Sequence, residues 1–175
     1  MRVWDLPVRL LHWGQAAAVA LLWWSKHDTG SLHEYTGYVV IALLLTRLAW
    51  GFCGGRYARF AQFVRGPRAT LAYARAALAG RAPRHVGHNP LGGAMVLALL
   101  ANLGLLCATG WLYTTDLFWG YGWLARLHQA LAWALLAMVA LHVGGMLWTS
   151  RQHRENLVRA MVTGEKAPPV GDDVA

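Results

Sequence analysis

Four apolar blocks constrain this chain more than any other feature of its sequence. They run over residues 8–25, 35–52, 91–113 and 124–149, each about 18–26 residues long, and a bilayer core takes about 20 in a helix. Inside lipid every backbone N–H and C=O must find a partner within the chain, so such segments are helices and not strands. Only 14% of the residues are charged, against roughly 25% in a soluble domain. The expected fold class is an all-α membrane protein, a bundle of four transmembrane helices. It forms one domain over residues 1–160, with a disordered cytoplasmic tail over 161–175.

The first block also resembles a secretory leader, since an Arg precedes it. Its end, "LLWWSKHDTG", places Trp23 and Trp24 where small residues would precede a cleavage site, so it is expected to stay as a span. The net charge is +8, and where it falls sets the topology. Arg56, Arg59, Arg65, Arg68, Arg75, Arg81 and Arg84 lie between the second and third blocks. Arg2 and Arg9 flank the start, and Arg151, Arg154, Arg159 and Lys166 follow the last block. The other two connections carry only Lys26 and Arg126. By the positive-inside rule both termini and the Arg-rich loop face the cytoplasm. Topology accounts for the basic face, so nucleic acid is not an expected partner; membrane lipid is.

Within the Arg-rich connection, "GPRATLAYARAALAGR" predicts a short helix opening at Pro67. It either lies on the membrane surface through Leu71, Ala74 and Leu78 or is an ordinary solvated helix. Asn89-Pro90 marks the start of the third span. Trp23, Trp24, Trp111, Trp119 and Trp123 gather at one interface and Trp4, Trp50 and Trp148 at the other, as anchoring aromatics do.

Histidine inside a span points to function by default. His128 and His142 lie fourteen positions apart in one block. At 3.6 residues per turn they share a face, separated along the axis by about 21 Å. That is too far for one metal ion and suits two sites stacked across the membrane. His12, about five residues into the first span from the cytoplasmic side, matches the depth of His142. His33 opens the second span from the outside and matches His128, with His27 as its rival. Two pairs result, His12 with His142 and His33 with His128. A zinc site would need three or four clustered ligands. Haem iron takes one protein ligand on each face, and two imidazoles fill both positions. There is no CxxCH, so covalent haem attachment is excluded. Cys53 and Cys107 fall toward opposite ends of their spans and are not expected to pair.

Glycines beside these positions, among them Gly14, Gly37, Gly144 and Gly145, would admit a flat macrocycle or serve helix packing. His85, His88 and His153 fall in or beside the basic regions and read as solvated, with His88 close enough to the interface to line a quinone pocket. Arg47, within the second block, either snorkels to the interface or pairs with a propionate of the inner haem. Asn102 is expected to bond between helices. No acid–base or nucleophilic machinery is visible.

"VWDLPVRLLHW", "LHEYTGYVVIALLLTRLAWG", "HNPLGGAMVLALL" and "LHQALAWALLAMVALHVGGML" resemble the bacterial cytochrome b561 family over about residues 3–160. The likeness is to its cytochrome b subunits that work with nickel–iron hydrogenases and periplasmic c-type cytochromes. That resemblance implies a four-helix bundle with two haem b groups, ligands at His12, His33, His128 and His142, and a family arginine at Arg47. It also implies electron exchange between a partner and the quinone pool, as an electron carrier or a quinone oxidoreductase subunit. The chain looks shorter than hydrogenase-type members and its outer connections are brief. A small c-type cytochrome, or superoxide, is then favoured over a hydrogenase or dehydrogenase subunit as donor. The alternatives are a membrane anchor whose haems are structural and a haem-free metal transporter.

Overall fold

The computed structural model describes residues 1–27, 31–171 and 173–174. Four long helices dominate: α1 (Leu6–Trp24), α2 (Leu32–Cys53), α5 (Pro90–Tyr113) and α6 (Gly122–Gln152). Three shorter ones, α3 (Phe60–Phe63), α4 (Pro67–Leu78) and α7 (Leu157–Thr163), gather at the end that carries both termini. A single 3-10 turn, Ser25–His27, follows α1; residues 28–30 of the turn expected between the first two spans lie outside the described residues.

Local chemistry explains where these helices begin. Asp5 Oδ1 accepts the Val8 N–H at 2.9 Å, with Pro7 in the first turn of α1. The other Asp5 oxygen accepts from Trp50 Nε1 at 3.0 Å and from the Gly55 backbone at 3.3 Å, tying the start of α1 to the end of α2. Asn89 caps α5 through the Gly92 N–H at 2.7 Å, with Pro90 as the first helical residue. Asn156 caps α7 through Arg159 at 2.8 Å.

α2, α5 and α6 are long and apolar enough to cross a membrane. α1 has 19 residues, but Arg9, His12 and Gln15 in its first half keep it below that apolarity. Four expected spans therefore meet three helices of plain spanning character. Leu10, Val39, Leu45, Leu105, Leu141 and Leu147 turn outward, as lipid-facing side chains would.

The long helices pack in series, α1 on α2, α2 on α5 and α5 on α6. Ala18, Val40, Leu44, Leu103, Leu106 and Leu135 form the mid-bundle core. Asn102 Nδ2 donates to Leu131 O at 3.1 Å, joining α5 to α6 as expected of an intramembrane amide. Both cysteines are free.

A second core closes the terminal end, where Val3, Trp4 and Val8 meet Tyr57, Ala58, Val86 and Ala160. The tail differs here from a disordered segment. α7 carries the chain to Thr163, and Gly164 then turns with φ +84°, where a Cβ would sit 2.5 Å from Trp4 O. Gly164 O accepts from Val3 and Trp4 at 2.8 and 3.1 Å. Glu155 bridges Arg84 at 2.7 Å and Lys166 at 3.1 Å, and Arg84 also pairs with Asp173. A polar, Pro-rich composition hid the ties to Arg84 and His85, because these partners lie about 70–90 residues away.

Candidate functional site

The serial packing sets α6 apart from α1 and α2, and the histidines face one another across that separation. The rings of His12 on α1 and His142 on α6 have centroids 6.4 Å apart, with planes at 49°. His33 on α2 and His128 on α6 also lie 6.4 Å apart, with planes at 74°. All four are half-buried. His27 is exposed in the turn after α1 and joins neither pair.

This spacing tests what the pairs can hold. Two imidazoles on one metal through bonds of about 2.0 Å, each ring centre roughly 1.1 Å behind its nitrogen, put their centroids about 6.2 Å apart. Both pairs fit one metal ion with a ring on either side. Among the described residues no cluster of three or more His, Cys, Asp or Glu could hold a metal, so neither pair extends to a zinc-type ligand set. Room for a flat group is present beside them. A Cβ on Gly37, one turn after His33, or on Gly145, three residues after His142, would meet nothing within 4 Å. On Gly110 it would come within 3.2 Å of His128 Cε1, so a glycine there lets α5 pass close to that ring. The donor chemistry and the spacing are those that would suit a haem iron held by two histidines.

Two side chains that sequence reasoning missed lie behind the second pair. Thr109 Oγ1 is 2.9 Å from His128 Nδ1, and Ser25 Oγ is 3.5 Å from His33 Nδ1. The sequence offered only a hydroxyl within an apolar block as a signal, and such hydroxyls more often bond their own helix. No comparable contact reaches the other pair among the described residues, and His12 Nδ1 is buried without a partner.

Arg47 is buried on α2, its Nη2 donating to Ala58 O at 3.3 Å while Nη1 has no partner. Its guanidinium also lies 5.3 Å from the Phe60 ring centre. It stands fourteen residues after His33, the separation of His128 from His142, so its depth matches the first pair, about 21 Å from the second. It does not snorkel to an open surface. A half-free buried guanidinium suits an anionic group such as a propionate.

His88 corrects the expectation of a solvated side chain. Its ring lies between Trp4 and Phe63, at 4.6 and 4.7 Å, and its Nδ1 is buried without a partner. Burial, followed by the Arg47 charge, pushes it down to about 3, so it is neutral at ordinary pH. His85 packs on Tyr73 and His153 has a buried Nε2; burial lowers both.

Known proteins supply an independent comparison. The chain is 24% identical to a probable Ni/Fe-hydrogenase B-type cytochrome subunit of Bradyrhizobium diazoefficiens, covering 94% of this chain and 85% of that one. A protein of the same description from Cupriavidus necator is 25% identical, over 93% and 85%. Another from Rhodobacter capsulatus is 23% identical, over 94% and 80%. No solved structure matches. The family model described as prokaryotic cytochrome b561 matches residues 3–164. With nearly the whole chain matched, including both histidine pairs, this protein belongs to the prokaryotic cytochrome b561 family.

Proposed function

We propose that this membrane cytochrome carries electrons across the bacterial inner membrane through two haem b groups. His12 and His142 would hold the inner haem, and His33 and His128 the outer one. The observation that carries the reading is the equal 6.4 Å facing of two histidine pairs about four helical turns apart. Held by two histidines, each haem would supply one-electron transfer and not substrate binding. The protein residues supply orientation, burial and charge. α6 presents two ligands on one face, while α1 and α2 each present one. Arg47 offers its unpaired Nη1 to a propionate, compensating a charge that would otherwise enter the membrane alone.

On this reading α1 is the fourth span, its polar residues turned toward the inner haem and not toward lipid. Both termini and the Arg-rich loop 54–89 face the cytoplasm. The redox partners are a periplasmic donor on one side and the quinone pool on the other. The hydrogenase subunits among the relatives make a hydrogenase one such donor; the short outer connections also suit a small c-type cytochrome or superoxide. The test is a reduced-minus-oxidised spectrum of the purified chain with pyridine-haemochrome quantification. Two protohaems per chain are expected, and none would sink the proposal.

A further inference from the structure

The two histidine pairs differ in what stands behind their rings. Thr109 Oγ1 lies 2.8 Å from Leu105 O and 3.1 Å from Leu106 O, as well as 2.9 Å from His128 Nδ1. A hydroxyl has one proton, and a carbonyl can only accept. With the Thr109 proton on the helix carbonyls, its oxygen accepts from His128 Nδ1–H. That leaves Nε2 as the one lone pair on the ring. The same reasoning holds, more weakly, for Ser25, whose Oγ donates to Leu22 O at 3.5 Å and lies 3.5 Å from His33 Nδ1. In that arrangement both rings of this pair would be held in the tautomer that leaves Nε2 free to ligate. The His12–His142 pair has no such support among the described residues; instead Arg47, a buried positive charge, lies at its depth.

We propose that Thr109, seconded by Ser25, is a positioning residue that fixes the His128 tautomer and makes His33–His128 the lower-potential of two haem centres. A hydrogen bond from Nδ1–H makes the imidazole a stronger donor to its metal, which favours oxidised iron. A nearby cation favours the reduced form, so Arg47 raises the other centre. The two effects order the potentials in one sense, downhill from the His33–His128 centre to the His12–His142 centre. This inference rests on the two-haem reading of the proposed function.

A redox titration of the haem-loaded full chain, followed by its α-band and by low-spin EPR, tests it. The ring planes of the two pairs stand at 74° and 49°, so the two centres would give separate low-spin signals. Thr109→Val keeps the side chain's shape and removes the acceptor. The lower midpoint should rise with the higher one unmoved, by up to about tenfold in the reduction equilibrium, or 59 mV for one electron. Thr109→Ser should restore it, and Ser25→Ala should move the same centre the same way by less. A fall in that midpoint, a shift of the higher one, no shift, or a Thr109→Ser variant that behaves like Thr109→Val overturns the proposal. Should Thr109→Val bind fewer than two haems, Ser25→Ala decides by the same criteria. A wild-type chain without haem is a different failure, that of the proposed function itself.

Discussion

The two ends of this bundle solve the same problem with different materials. At the end bearing His33 and His128, single hydroxyls on α5 and in the turn after α1 stand beside the rings. At the end bearing His12 and His142, a cap of aromatic and charged side chains from the N-terminus, the long loop and the tail closes over the site. Each end presents two imidazoles at one spacing, so the pair geometry is common and the surroundings are not. Surroundings are what tune a redox centre once its ligands are set. The comparison teaches that two chemically equal histidine pairs in one chain need not be functionally equal.

The hardest test of this comparison removes one ligand. His142→Ala is expected to halve the haem content while the His33–His128 centre keeps its spectrum and midpoint, as read by pyridine haemochrome and titration. Loss of both haems would show that the centres are not independent. Next in size is Gly110→Ala. It raises helix propensity by roughly 1 kcal/mol, yet its Cβ would press on His128 Cε1 from 3.2 Å. The outer centre's EPR signal should broaden or vanish while thermal stability holds or rises.

Asp5→Ala addresses the other end. It removes the α1 cap, about 1 kcal/mol, and with it the ties to Trp50 and Gly55. Thermal denaturation should come earlier, and the inner haem should be lost before the outer one.

Acidification tests the cap more gently. Burial raises the Glu155 carboxyl, but hydrogen bonds from Arg84 and Lys166 outweigh it and hold the group below its ordinary value of 4.5. Its contribution is therefore full above that value and is lost as pH falls through the lowered folded one. Protease should release the tail in that acid range, and Glu155→Gln should release it at neutral pH. The smallest effect expected is that of Asn102→Leu, about 0.6 kcal/mol for an intramembrane side-chain hydrogen bond. It should lower the denaturation temperature slightly and leave both midpoints unchanged.

Much of the bundle was legible beforehand because lipid imposes a simple rule. The expected span at 35–52 is α2 at Leu32–Cys53, and that at 91–113 is α5 at Pro90–Tyr113. Hydrophobic length and the helix starts at Asn89-Pro90 and Pro67 are local properties, readable one segment at a time. His128 and His142 were equally readable, since fourteen residues on a helix is a fixed rotation and rise. Which histidine of α1 or α2 meets each of them was matched by depth alone. The contacts made by the described residues of the tail were not readable for a related reason. Composition reports the cost of ordering a segment, not the partners that meet it.

The sequence by itself therefore determined the class of the molecule, the length of its helices and the face and separation of two histidines, because these follow from backbone geometry and the bilayer. The tertiary structure alone decided that His27 stays out of both pairs, that His88 is enclosed by Trp4 and Phe63, and that Thr109 stands behind His128. Those facts depend on which helices pack together and how they rotate. Hydrogen bonds of about 3 Å between residues far apart in the chain are settled only when the whole bundle has closed.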